Sequence, residues 1–455
     1  MKQKTSISSL IDSVKKQLTN RKEATAYTFV QFENRSLKAK AVNISFEELD
    51  QNAKRIAGFL QSKTQPQDNV VLAYRSGVDF LYAFLGCLYA GVVAVPAPLP
   101  KLSNGKNRLA GILTDTNARY VLTSADTELA STMADIFTDT QVEAVATDGL
   151  SPDYLECFEE KEISPDDLAF LQYSSGSGGL PKGVMVSHKN INDQLAILTT
   201  HLSGDENSCM ASWLPHFHDM GLILGLLHSL YIGGKTVFMS PDSFIRNPIT
   251  WLKLLSDYQA DYTVAPNFSF DLCCRQIDLE QCTGIDLSKL KNMGNSAEPV
   301  RASTIKRFSE KFTPLGFNAS TFTPSYGLAE ATLLVASRVA GSTLKTRHFS
   351  ARSIEKGLVV PCESTDETTR ELVSYGRGVG GFEIKIVNPE TKQECEASEV
   401  GEIWLTGGSL TQGYWNKPDL NKQDYHACIA GDSQEYLRTG DLGFVHYDEL
   451  YLCGR

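Results

Sequence analysis

Residues 80–100, F-L-Y-A-F-L-G-C-L-Y-A-G-V-V-A-V-P-A-P-L-P, carry no charged side chain, and nothing else in the chain limits the fold as much. A run of this length and character is either a membrane span or the buried centre of a globular sheet. Gly86 and Gly91 interrupt it and Pro96, Pro98 and Pro100 close it, which favours a buried helix over 80–89 followed by a buried strand over 92–95. A short apolar strand over 69–73 precedes them, and strand, helix, strand is the unit of a parallel sheet. The alternation continues through a strand at 120–123, a helix near 128–137 and a strand at 142–146, before the acidic linker 159–167. Upstream, Leu10, Ile11, Val14 and Leu18 fall at helical spacing, and Ser45 with Glu48 marks a capping box for a second helix. The net charge of −11 argues against a general nucleic-acid or anionic-membrane binder. The ten cysteines contain no C-x-x-C pair, which suits reduced thiols, and the N-terminus lacks an apolar signal core. A cytoplasmic protein without a membrane span is the expectation.

The linker delivers the chain to Y-S-S-G-S-G-G-L-P-K-G-V-M-V-S-H-K-N, residues 173–190. Ser174, Ser175 and Ser177 alternate with Gly176, Gly178 and Gly179, and Lys182 follows. Glycines let backbone N–H groups converge on an anion, hydroxyls add donors and a lysine brings a point charge, so the stretch reads as a phosphate cradle. A Walker loop is excluded because Lys182 lies between Pro181 and Gly183, and no Ser here has the glycine spacing of a nucleophile elbow. A flexible Gly/Ser loop is the alternative.

Further along, residues 191–202 read as a helix and 212–231 as a turn leading into an apolar helix, 220–231. On a strand, His216 and His218 would share a face, but the metallo-hydrolase pattern H-x-H-x-D-H is not met. Leu222, Ile223, Leu226 and Leu227 suit either an alkyl chain or a plain core. A helix at 251–258, a strand at 262–265 and a strand and turn at 290–301 follow, where Gly294, Ser296 and Ala297 permit close backbone approach by a flat ring. Ala302 opens an amphipathic helix to 312. In T-P-S-Y-G-L-A-E-A-T-L-L, residues 323–334, Glu330 reads locally as a charge early in an Ala/Leu helix. Mg²⁺ chemistry gives it a second reading, since that ion is usually held by one or two carboxylates plus substrate phosphates. Residues 347–377 have a polar centre that reads as a solvated loop. The remainder, with strands at 382–387 and 401–408, reads as a small β-rich unit.

In order, these stretches resemble the adenylate-forming superfamily, and S-S-G-S-G-G-x-P-K-G-V resembles its signature loop. Ser174 and Gly178 stand where that family generally has Thr, and Gly178 removes a hydroxyl. P-x-x-H-D-M-G-L-I is similar to the substrate-pocket motif of the fatty acyl-AMP ligases, and implies an acid-binding channel gated by His218 and lined by Asp219, Met220, Gly221 and Leu222. Ser296, Ala297 and Glu298 match an element that lines adenine. Ser325, Tyr326, Gly327, Leu328 and Glu330 match the Y-G-x-x-E motif, in which the Tyr packs on adenine and the Glu holds Mg²⁺. Asp441 in T-G-D would bind ribose, and Arg455 in the closing G-R would help. Residues 347–377 look like the extra segment that separates these ligases from acyl-CoA synthetases.

The resemblance implies an α/β fold: the large N-terminal domain of adenylate-forming enzymes, two layered α/β subdomains (1–195 and 196–345) plus a small distorted β-barrel (346–455), with the C-terminal lid domain absent. It implies catalytic roles for Lys182, His218 and Glu330, with ATP and Mg²⁺. A fatty acid would be adenylated and passed to an acyl carrier protein. An acyl-CoA synthetase, an amino-acid adenylation domain kept open by Asp219, and a non-catalytic acyl-adenylate binding module remain as alternatives.

Overall fold

The computed structural model describes residues 9–33, 37–99, 105–125, 142–174, 182–339, 341–363 and 368–455. The uncharged segment becomes the helix Val78–Ala90 and the strand Val93–Pro96, as its punctuation predicts. Gly91 ends the helix at φ +74°, a left-handed conformation that glycine adopts without Cβ strain, and Val92 N–H then reaches back to the Cys87 carbonyl at 3.1 Å. No helix among the described residues is long and apolar enough to cross a membrane.

Among the described residues, one sheet has six strands in the order Glu143–Ala146, Tyr120–Thr123, Asn69–Leu72, Val93–Pro96, Leu168–Ser174 and Lys182–Ser187. Its first five strands run parallel and the last is antiparallel. The expected helix near 128–137 lies outside the described residues. A helix absent from the sequence reading, Gly105–Thr116, buries Leu109, Ile112 and Leu113 against this sheet's strand residues Val71, Val93 and Leu171.

A nine-stranded sheet forms the second layer among the described residues, with a central parallel run through Phe322–Gly327, Asn292–Ser296, Tyr262–Pro266, Cys209–Ser212 and Lys235–Phe238. Its membership corrects the division at 195. Thr25–Phe32, which local pattern did not announce, pairs in parallel with Lys235–Phe238 and carries Ala39–Ser45 on its other edge. The first segment therefore supplies strands to both sheets, because strand pairing is decided by partners hundreds of residues away.

The third unit is barrel-like. Phe382–Val387, Gly401–Gly407 and Glu435–His446 pair antiparallel, and Glu449–Gly454 returns along the last of these. The described residues of the polar centre of 347–377 are mostly exposed, as read, but its end from Thr369 is strand rather than loop. Thr346–Ser350 pairs with Thr369–Val373, the helix Ala351–Glu355 lies between them, and Phe349, Ile354 and Leu372 share a core with Phe444 and Tyr451. Part of its polar run, 364–367, lies outside the described residues.

One aromatic cluster fixes the helices beside the second sheet. Phe308 is fully buried, with ring centroids of Phe270, Phe317 and Phe322 at 5.2, 5.1 and 5.6 Å. Phe308→Ala is expected to lower stability by about 3–5 kcal/mol through the cavity left behind, read as a fall in the urea midpoint. Val42→Ala, at a 48% exposed strand position, should stay within about 0.5 kcal/mol.

Candidate active site

A cavity of about 590 Å³ opens beside the carboxyl ends of Leu168–Ser174, Asn292–Ser296 and Phe322–Gly327, with the third unit closing one side. Open parallel sheets place ligands at such strand ends. Residues 217–220, Ala329 and Glu330, and residues 452–455 complete the wall.

Three expected motifs meet there. Ser296, Ala297 and Glu298 line the cavity where their strand ends; Ser296 Oγ donates to the Ser325 carbonyl at 2.8 Å, and Ala297 turns through φ +68°. Glu298 reaches outward to accept the Phe268 N–H. Ser325, Tyr326, Gly327 and Leu328 line the adjacent wall. Tyr326 is buried and its hydroxyl donates to Asp441 Oδ2 at 2.8 Å, while Arg455 Nε lies 3.3 Å from Asp441 Oδ1. Burial pushes the Asp441 carboxyl up, with the Tyr326 hydroxyl and the Arg455 charge pulling it back. The strand carrying Asp441 is itself held, since Glu402 accepts both Arg438 and the Gly440 N–H, at 2.8 and 3.0 Å.

Glu330 does not begin a helix. Strand Phe322–Gly327 is followed by a 3₁₀ turn, Ala329–Ala331, and the chain folds back as the antiparallel strand Leu334–Ser337, with Leu328 N–H donating to the Leu333 carbonyl at 3.0 Å. Sheet pairing overrides the local Ala/Leu preference. The Glu330 carboxylate lines the cavity and accepts the Tyr414 hydroxyl at 2.8 Å, and Thr411 N–H donates to the Glu330 carbonyl at 3.0 Å. Burial raises the Glu330 carboxyl above its ordinary value, opposed by the Tyr414 bond and by Lys182. Lys182 does not line the cavity; its Nζ lies 4.7 Å above the Tyr414 ring. Ser174 pairs with Lys182 in the sheet, so the ends of the expected cradle are adjacent. Ser175, Gly176, Ser177, Gly178 and Gly179 lie outside the described residues.

The two histidines part company. His216 is buried, its ring centroid 4.1 Å from that of Phe80 at a 35° tilt, and burial lowers its pKa to about 3, so it is neutral. His218 is half-exposed at the cavity, with Nδ1 2.6 Å from Asp219 Oδ1. That same oxygen accepts the Met220 N–H, which turns Asp219 into the cap of the following helix. No group of three or more His, Cys, Asp or Glu able to hold a metal occurs among the described residues.

The apolar segment Met220–Leu227 is a π-helix, closed by His228 N–H to the Ile223 carbonyl, and the wide ladder redistributes its side chains. Met220 and Leu224 face the cavity. Leu222, Ile223, Leu226 and Leu227 are buried in the core instead, so Leu222 is not a pocket residue. Gly221 is also outside the cavity wall, because it lies against the 214–215 backbone, where a Cβ would sit 2.1 Å from the Pro215 oxygen. Tyr414 was missed by sequence reasoning and carries no local signal; it is placed by an isolated antiparallel bridge to Val184.

Residues 14–415 match the model of the AMP-binding enzyme family. The chain belongs to that family. It is 36% identical to the medium-chain-fatty-acid–[acyl-carrier-protein] ligase JamA of Moorena producens, covering 99% of this chain and 77% of that protein. It is 33% identical to the 4-hydroxyphenylalkanoate adenylyltransferase of Mycobacterium marinum, covering 98% and 74%. Among solved structures, the fatty acyl-adenylate ligase from L. pneumophila in complex with acyl adenylate and pyrophosphate superposes with a TM-score of 0.91 at 38% identity, covering 98% of this chain and 77% of that one. The chain is thus an adenylate-forming enzyme with the fold its motifs imply.

The Asp219 charge raises the His218 pKa. The imidazolium therefore adds stability below the unfolded value of about 6.5, and that stability is lost as pH rises through the higher folded value. NMR titration of His218 should show a midpoint above about 6.5, and Asp219→Asn should move it down.

Proposed function

We propose that this protein activates a fatty carboxylic acid with ATP, forming an acyl-adenylate and releasing pyrophosphate, and that the acyl group passes to the phosphopantetheine thiol of an acyl carrier protein. The observation that carries the reading is the meeting of an adenylate-type wall, built from Ser296, Tyr326 and Asp441, with the apolar side chains Met220, Leu198, Leu202 and Leu224 in one cavity. A substrate carboxylate oxygen attacks the α-phosphorus and the bond to the β-phosphate breaks, so no protein nucleophile is required. Catalysis then comes from positioning and charge neutralisation. In this scheme Tyr326 offers its ring to adenine, Asp441 accepts from ribose hydroxyls, and His218 stands at the passage from acyl channel to phosphate. Lys182, with the Ser/Gly stretch 174–179 by its sequence, is assigned to the leaving pyrophosphate.

Mg²⁺ fits the donor set. Glu330 presents an oxygen ligand at the cavity wall with one oxygen engaged by Tyr414, and a solitary carboxylate suits an ion that keeps phosphate and water ligands. When bound, Mg²⁺ offsets charge on the departing phosphates. Asp219 weighs against the amino-acid reading, because its Oδ1 is already shared by His218 and the Met220 N–H, and the channel beyond it is apolar.

A thermal-shift comparison tests the substrate class. A non-hydrolysable dodecyl-adenylate mimic at 100 times its dissociation constant should stabilise the chain by about 2.7 kcal/mol. An aminoacyl mimic should give no shift, and the reverse pattern would sink the fatty-acid reading.

Glu330→Gln should lower the adenylation rate by about a hundredfold or more in ATP–pyrophosphate exchange. Its thermal midpoint at pH 8 should equal or exceed the parent's. A carboxyl with a raised folded pKa favours the fold below its unfolded value and loses that contribution above the folded value, and Gln removes this penalty at high pH.

A further inference from the structure

Arg108 lines the cavity, and the activation scheme leaves it without a task. It stands on the helix Gly105–Thr116, close enough to His218 to oppose the charge on that imidazole. Arg108 Nη2 donates to the Tyr173 carbonyl at 3.5 Å, a long bond, and Nε is buried with no hydrogen-bond partner among the described residues. No ion pair joins Arg108 to a carboxylate among those residues either. A guanidinium that faces a cavity with an unsatisfied donor is a site for an anion, and its planar fork matches phosphate oxygens.

Its placement says which anion. Tyr173 immediately precedes Ser174, and Ser174 is paired with Lys182, so the guanidinium is bonded one residue before the stretch 174–182 that reads in sequence as a phosphate cradle. The helix beneath Arg108 is fixed there by Asp115, which accepts the Tyr173 hydroxyl at 2.7 Å and Lys417 at 2.9 Å, while Trp415 Nε1 donates to the Asp115 carbonyl at 3.2 Å. The guanidinium is therefore presented by a braced element rather than a loose surface one. We propose that Arg108 binds the β- and γ-phosphates of ATP and the departing pyrophosphate from the cavity wall, as a cation additional to Lys182. This rests on the ATP-dependent reading above.

The experiment titrates this chain with magnesium pyrophosphate by calorimetry, alongside the dodecyl-adenylate mimic, which lacks the β- and γ-phosphates. Arg108→Gln is expected to weaken pyrophosphate binding at least tenfold, to leave mimic binding within twofold, and to be partly rescued by Arg108→Lys. Equal loss of both ligands would assign Arg108 a structural role and overturn the proposal. So would unchanged pyrophosphate affinity, or no pyrophosphate binding by the parent chain. In exchange assays the KM for ATP should rise at least tenfold while that for the fatty acid is unchanged; a rise confined to the fatty acid would give Arg108 to the substrate carboxylate instead. Because pyrophosphate binding is read directly, the result stands whichever acyl mimic the parent accepts, so failure of the fatty-acid reading is separately visible.

Discussion

The hydrogen bond from Tyr326 to Asp441 joins two sheets that share no strand, and the cavity exists because that junction holds. Tyr326 ends a strand of the nine-stranded layer and Asp441 belongs to the long strand of the barrel-like unit. Burial disfavours the Asp441 charge, and the hydroxyl of Tyr326 with the guanidinium of Arg455 offset that cost. Similar ties recur around the rim. Tyr414 reaches Glu330, Lys417 reaches Asp115, and Asn190 donates to the Leu410 carbonyl at 2.8 Å. Each anchors residues 410–417 to one of the two large layers, so the same bonds that assemble the layers also set the geometry of the site.

Charge is arranged with the same economy. Carboxylates at the cavity are engaged: Asp219 by His218 and a backbone N–H, Glu330 by Tyr414, Glu298 by Phe268 N–H. The cations Lys182 and Arg108 make no ion pair with a carboxylate among the described residues. Lys182 lies over an aromatic ring and Arg108 near a carbonyl, both weaker partners than a carboxylate. A polyanion brought to the cavity wall meets the Arg108 guanidinium, a positive charge that need not be released from an ion pair with a described carboxylate first.

Much of the architecture is legible in local pattern. Punctuation by Gly91 and Pro96 set the helix Val78–Ala90 against the strand that follows, and Ser45 caps its helix as its position suggests. Misreadings arose where local and global preferences disagree. Ala329, Ala331, Leu333 and Leu334 would favour a helix in isolation, but pairing with the preceding strand makes a turn and a return strand. The strand pairing on either side of the polar run in 347–377 was not legible, because its few apolar residues are widely spaced and only the facing Phe444 and Tyr451 give them a core.

The sequence by itself determined the chemistry available: the order of the motifs, the identity of Tyr326, Glu330 and Asp441, and the parallel α/β class, because these depend on residue type and short-range spacing. Tertiary structure decided which residues reach the cavity. It sent Leu222 and Gly221 into the core and brought Leu224 out through the π-turn, and it separated His216 from His218. It also recruited Tyr414 and Arg108 from stretches with no signal of their own. Side-chain direction in a wide helix, and contacts between residues 84 or 65 positions apart, are set by packing and pairing that no local window contains.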